Sequence, residues 1–567
     1  MPTRPHRARA RRTGRACALL AGSAFAALTS FAVQEPEGPR GPAVEVSTAC
    51  ALCHSNSDAA TAMRDADGVG VAPFDLWSGT MMANSARDPL WRAVVSAEVA
   101  ATPSRRADIE AKCLRCHSPM ARFAGLDELE LESPIHVLHH DSRVGELARD
   151  GVSCTICHGI VPDGLGTEAS YTAGFRLDDR QRLFGPHAEP FAMPMQRHTG
   201  FTPTEASHVT TSALCASCHT LETHALDADG EEVGVHFLEQ SPYLEWRNSD
   251  FRDEGDPGPL AASCQSCHVP KHDLLGRPIS TRIARNPAGR DFPPVEPRDT
   301  YGRHAFVGGN TTVLSMLRDF GAELGVTAPA EAFQRTIDAA RAQLATATAD
   351  VSIEDVRAED GALRFRVAVA NRTGHKFPTG HPIRRAWLRV VVRDANGATL
   401  FVSGDTDHRG RIVGRDGAPL LSELAGGPIE PHRDVVRAPD EVVLYHAVMS
   451  DSLGNATHTL LRGAGWVRDD RLLPKGWRAD APDASRTAPV GVEGDADFVA
   501  GGDSVRFELE GLERAASIEV ALVYQPVSLR WVAELQRFAT PEIARFQRLF
   551  EHSDPSPELV ARAVWQR

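Results

Sequence analysis

The chain has 567 residues, 42% of them hydrophobic and 24% charged, with a formal net charge of −14. That length predicts about three to four domains. The composition is that of a globular protein, and the acidic balance argues against nucleic-acid binding.

Residues 1–32 read as an export signal. Arg4, Arg7, Arg9, Arg11, Arg12 and Arg15 form a basic start, and an uncharged stretch runs from Ala16 to Val33. Ser30-Phe31-Ala32 offers small residues for cleavage, and Cys17 would leave with the signal. Residues 33–47 are Pro- and Gly-rich and read as a disordered tether. No other long apolar run follows, so the mature chain is expected to be soluble, without a transmembrane segment.

Residues 48–328 hold five copies of one pattern. They are Cys50-Ala-Leu-Cys53-His54, Cys113-Leu-Arg-Cys116-His117, Cys154-Thr-Ile-Cys157-His158, Cys215-Ala-Ser-Cys218-His219 and Cys264-Gln-Ser-Cys267-His268. C-x-x-C-H is the attachment signature of c-type haem. The thiols bond to the porphyrin, and the adjacent His becomes an axial iron ligand. A zinc knuckle does not require that His. With His at 23 of 567 residues, five such neighbours by chance are a roughly one-in-ten-million coincidence. Five covalently attached haem c groups are therefore expected. Their irregular spacing excludes a tandem repeat. Haem is attached outside the cytoplasm, which places the protein in the periplasm or at the cell surface.

Between the motifs, short helices and turn-rich loops are expected. Asp88-Pro89 to Val99 reads as one helix and about Thr312 to Leu324 as another. Val269 to Pro297 reads as loop. Asp65-Ala-Asp67-Gly68 and Asp227-Ala-Asp229-Gly230 resemble pieces of calcium loops but fit turns better. Residues 329–349 read as a connector helix, with Phe333, Ile337 and Leu344 on one face.

From residue 350 the period changes to two. Leu363 to Val369, Ala386 to Val392, Leu400-Val402, Val442-Leu444, Val505 to Leu509 and Ile518 to Tyr524 read as strands, with a turn at Asn396-Gly397. Residues 350–530 are expected to form an antiparallel, Ig-like β-sandwich. Residues 531–567, above all Thr540 to Val564, are helical in pattern. The fold class is thus α+β: a mainly helical, loop-rich multihaem domain, then a β-sandwich and a C-terminal helix.

Each iron needs a sixth ligand or stays open, and an open iron can bind substrate. Candidates outside the motifs are Met81, Met82, His136, His139, His140, His187, His198, His208, His224, His236, His272, His304, His375 and His381. A Met ligand raises the potential relative to two His.

Several segments resemble multihaem cytochromes of the cytochrome c-552/c-554 type. They are Asp75 to Pro89, Gly151 to Gly159, Ser212 to His219, Tyr243-Leu-Glu-Trp-Arg-Asn-Ser249 and His304 to Asn310. The likeness covers roughly residues 48–320 and extends loosely to His375-Lys-Phe-Pro-Thr-Gly380. It implies closely stacked haems and electron transfer. It also implies distal ligands at His139 or His140, His208 and His304, with His375 bringing the β-domain onto a haem. Met82 stands where relatives often carry an axial His, which bears on the first haem.

The expected function is electron transfer between redox partner proteins. An acidic carrier favours basic docking faces on them. The alternative is an oxidoreductase acting on a small nitrogen or sulfur compound at one five-coordinate haem.

Overall fold

Positions i, i+3 and i+4 of an α-helix share one face. A helix through Cys-x-x-Cys-His therefore presents both sulfurs and the imidazole to the same side. The computed structural model describes residues 43–567. In it the first, second, third and fifth motifs lie on helices Ser47–His54, Arg106–His117, Cys154–Gly159 and Cys264–His268. The fourth follows helix Ser212–Ala216, and its turn is closed by the His219 N–H on the Cys215 carbonyl at 2.9 Å. The expected signal segment and the tether up to residue 42 lie outside the described residues.

The last part of that tether is packed rather than loose. The Ser47 N–H and hydroxyl both donate to Asp150 at 2.7 Å, and Val46 is buried in the cluster around Ile156.

The expected helix at Asp88-Pro89 spans Pro89–Ala101. Asp88 caps it, accepting from Leu90 N–H at 2.8 Å and Trp91 N–H at 3.1 Å, with Pro at the first turn. The second is two pieces, Thr311–Asp319 and Gly321–Leu324. The connector runs Ala330–Gln343 and ends in a π-helical turn, Leu344–Thr348.

Both Asp-x-Asp-Gly segments are turns. Asp65 accepts from Asp67 and Val69 N–H, and Asp227 from Asp229 and Glu231 N–H. The second turn closes a hairpin, Leu221–Leu226 with Glu232–Gln240, which the sequence pattern did not suggest.

The C-terminal half holds two sheets. A seven-stranded sheet is built on Arg385–Arg393 and Ser517–Gln525, with Leu444–Ser450 on one side and Glu558–Gln566 on the other. A four-stranded sheet runs Val435–Val436, Gly502–Glu510, Ala362–Asn371, Ala349–Glu359. The short Val435–Val436 pairs in parallel and the rest antiparallel. Leu363, Phe365 and Val367 from one sheet and Leu388, Val390 and Val392 from the other share one buried core. Phe365 and Phe507, paired across strands, stack at 4.7 Å. The opposite face of Arg385–Arg393 is covered too: Trp387 packs on Ile412, Val442 and Leu444. The strand is therefore buried on both sides, although alternation suggested one.

The end of the chain departs from expectation. Residues 531–567 are not one helical segment. Helices Leu529–Leu535 and Pro541–Glu551 are followed by strand Glu558–Gln566, which extends the larger sheet. Pro555 and Pro557 break the helix, and the free edge of Ser517–Gln525 then takes the remaining backbone hydrogen bonds. Among the described residues, no helix is long and apolar enough to cross a membrane.

Candidate functional site

All ten motif cysteines and all five motif histidines line one cavity of about 1990 Å³. An ordinary small-molecule site measures about 300–1,000 Å³. The motifs meet in a definite order. Cys50 lies near Cys154, Cys116 near Cys218, and Cys215 near Cys264. Cys157 lies near both Cys215 and Cys218. The helices carrying the first and third motifs pack together, and so do those of the fourth and fifth. The sites thus run first, third, fourth, fifth, with the second branching at the fourth.

Four motif histidines are oriented the same way. Nδ1 donates to a backbone carbonyl: His54 to Ile283 at 3.0 Å, His117 to Ser85 at 3.3 Å, His158 to Phe184 at 2.6 Å and His268 to Val307 at 2.8 Å. That bond fixes the proton on Nδ1 and leaves the Nε2 lone pair for a metal. Burial lowers the pKa of all five, to about 4 for His117 and His219. They are neutral, as metal ligation requires.

Two further histidines repeat the pattern inside the cavity. His304 Nδ1 donates to the Gly302 carbonyl at 3.1 Å, and His375 Nδ1 to the Lys376 carbonyl at 2.9 Å. The His304 ring faces that of His158 with centroids 6.1 Å apart.

His381 also lines the cavity but is wired in reverse. Its Nδ1 accepts the Ile383 N–H at 3.0 Å, so the neutral ring carries its proton on Nε2. Burial pushes its pKa down to about 3. It is a hydrogen-bond donor to the cavity rather than a lone pair.

The other expected ligands are placed differently. His139 Nε2 accepts from Arg92 at 3.1 Å, and His140 Nδ1 bonds the Ser142 hydroxyl at 2.8 Å. Neither lines the cavity, and neither does His208, whose Nε2 donates to the Ile160 carbonyl at 2.8 Å. Met82 does line it, on a segment bonded to the second and third motif regions. The Met82 carbonyl accepts the Val152 N–H at 2.9 Å, and the Ser85 hydroxyl bonds the His117 carbonyl at 2.7 Å.

Several groups at this site carry no motif. Trp91 stacks on His117 at 4.6 Å, nearly parallel. Its indole N–H and the Thr223 hydroxyl are buried on the cavity wall with no partner among the described residues. Glu98 and Glu239 are buried there as well, with pKa values raised by burial to about 8 and about 7. Buried acids without a metal or catalytic motif leave no sequence signal. An apolar cavity with paired thiols, neutral imidazoles and orphaned donors fits haem c at each motif.

No protein-family model and no curated protein matches the chain. Among solved structures, the chain is similar to a penta-heme cytochrome c552 from Thermochromatium tepidum. The likeness has 15% identity and a TM-score of 0.48, and covers 92% of this chain and 99% of that one.

Proposed function

We propose that the chain is an exported pentahaem c-type cytochrome that carries electrons between redox partner proteins, in the periplasm or at the cell surface. The observation that carries this reading is the convergence of all five Cys-x-x-Cys-His motifs on one cavity, each motif near the next. Haem c supplies a one-electron iron couple at each motif when bound.

The chain's own residues do the rest. Cys50/Cys53, Cys113/Cys116, Cys154/Cys157, Cys215/Cys218 and Cys264/Cys267 anchor the groups. His54, His117, His158, His219 and His268 would each ligate the iron of its own motif. His304 would be a second ligand beside His158, and His375 would serve the fourth or fifth motif. The largely apolar cavity wall and the degree of exposure at each motif would tune each potential. Residues 350–530, with two sheets across one core, read as an Ig-like sandwich that delivers His375 to the haem domain of residues 48–328.

Mass spectrometry of the mature protein tests the reading: five added haems and loss of about 32 residues are expected. Four or fewer haems overturn it.

One observation favours a second reading, an oxidoreductase acting on a small nitrogen or sulfur compound. His139, His140 and His208 do not offer Nε2 to the cavity, and His381 offers a proton instead of a lone pair. An iron left without a distal ligand would be open to substrate, and His381 would supply a hydrogen-bond donor in the same cavity. Optical spectra with carbon monoxide or nitrite decide the matter. A change equivalent to one haem supports the open site, and unchanged spectra exclude it.

A further inference from the structure

The loop bearing His375 belongs to the C-terminal half, yet one carboxylate from between the fourth and fifth motifs holds it. Glu245 lies on helix Pro242–Arg247, fully buried. Its Oε2 accepts the Lys376 N–H at 3.0 Å and the Thr379 hydroxyl at 2.6 Å. Its Oε1 accepts the Ser241 hydroxyl at 3.2 Å and pairs with Arg471 at 3.3 Å. Arg471 in turn grips Asp469 with two bonds of 2.7 Å, and Lys376 Nζ reaches Asp469 at 2.6 Å. Two cations and two anions are thus closed off from water, each side chain at most 5% exposed.

Such a network is a poor stabiliser. Desolvating the charges offsets most of their attraction, and well-packed apolar residues in its place are often neutral or better. What it supplies here is position. Lys376 follows His375 directly, and its carbonyl takes the His375 Nδ1 proton. Helix Pro242–Arg247 is tied at its start to the fourth motif, where the Tyr243 N–H meets the His219 carbonyl at 3.5 Å. Gly374 lets the backbone lie against the same helix: a Cβ there would stand 3.1 Å from Trp246 and 3.2 Å from Phe251. A chain of bonded groups therefore runs His219, Tyr243, Glu245, Lys376, His375.

We infer that Glu245 is the positioning residue for His375, holding its Nε2 at the site formed by the fourth and fifth motifs. This rests on the reading of His375 as an iron ligand. The carboxylate has an electrostatic effect as well. Removing its charge from that balanced network would leave net positive charge near the site, which would raise the potential of the haem that His375 would serve.

The test uses the holoprotein with His375→Ala, Glu245→Ala and Glu245→Gln, read by electron paramagnetic resonance of the ferric protein and by potentiometric titration. His375→Ala is expected to convert one haem from low to high spin. Glu245→Ala is expected to weaken the same low-spin signal. Glu245→Gln, which keeps the shape and an acceptor, is expected to retain that signal while the same component titrates at a higher potential. If Glu245→Ala leaves spectrum and titration as in the unmodified protein while His375→Ala changes one haem, the positioning role is overturned. If His375→Ala changes nothing, the ligand reading falls, and the inference with it. Should Glu245→Ala fail to fold, Thr379→Val removes one of the two bonds from Glu245 to this loop. It is expected to move the same component by a smaller amount, and an unchanged titration overturns the proposal.

Discussion

The imidazoles of His158 and His304 face one another with ring centroids 6.1 Å apart and planes inclined by 25°. One closes the third motif, and the other lies beyond the fifth. Both are half-buried and neutral, His304 with its pKa pushed down to about 4 by desolvation. Both direct Nδ1 to a carbonyl, so both keep a lone pair on Nε2.

His304→Ala is accordingly expected to convert one haem to high spin and to raise one midpoint potential. Axial ligands command a span of about 0.8 V, and a shift of about a tenth of that is expected. Electron paramagnetic resonance and a redox titration check it. A spectrum identical to that of the unmodified protein would rule out His304 as a ligand.

His381 predicts the opposite result. With Nδ1 accepting from Ile383, its Nε2 bears the proton, so His381→Ala should leave every low-spin signal in place. The appearance of one high-spin haem would show that the ring turns over and ligates.

Glu98 makes stability depend on pH. It accepts the Leu460 and Leu461 N–H groups, and burial raises its pKa from 4.5 to about 8. Between those values the folded state holds a proton that the unfolded state has lost. Stability therefore falls as pH rises through this window and levels off above it. Glu239, raised to about 7, adds a decline of the same sign. Glu98→Gln should flatten the curve by up to a few kcal/mol at pH 8. Denaturant midpoints measured from pH 5 to 9 test this, and parallel curves for the two proteins would refute it.

Gly151→Ala should disturb the Met82 segment. Gly151 has φ +65°, and a Cβ there would stand 2.6 Å from the Met82 carbonyl and 2.7 Å from that of Ala83. Strain at such a position costs about 1–3 kcal/mol. A lower thermal midpoint with five haems retained is the expected outcome, and an unchanged midpoint would show that the segment yields freely.

The strands were legible where alternation met a one-sided core, as at Leu363 to Val369. They were misread where tertiary context overrode local pattern. Glu558–Gln566 looks helical by itself and becomes a strand because an open sheet edge receives it. The hairpin at Asp227–Gly230 escaped notice because its second strand, Glu232–Gln240, is largely exposed and lacks a clear apolar face. Glu245 sits in a segment that the family resemblance picked out, yet only its contacts reveal what it holds.

Attachment is a local matter. Two thiols and an imidazole at i, i+3 and i+4 need a single helical turn, so five consecutive residues suffice to mark each proposed site, and all five motifs were legible in the sequence alone. A sixth ligand would have to come from across the cavity, and no spacing rule reaches that far. His139, His140, His208, His304, His375 and His381 are equivalent as letters. The fold separates them by which ring nitrogen meets a backbone group: His304 and His375 keep a free lone pair in the cavity, His381 a proton, and the other three lie outside it. That choice is made by hydrogen bonds between segments distant in the chain, which exist only once the chain has folded.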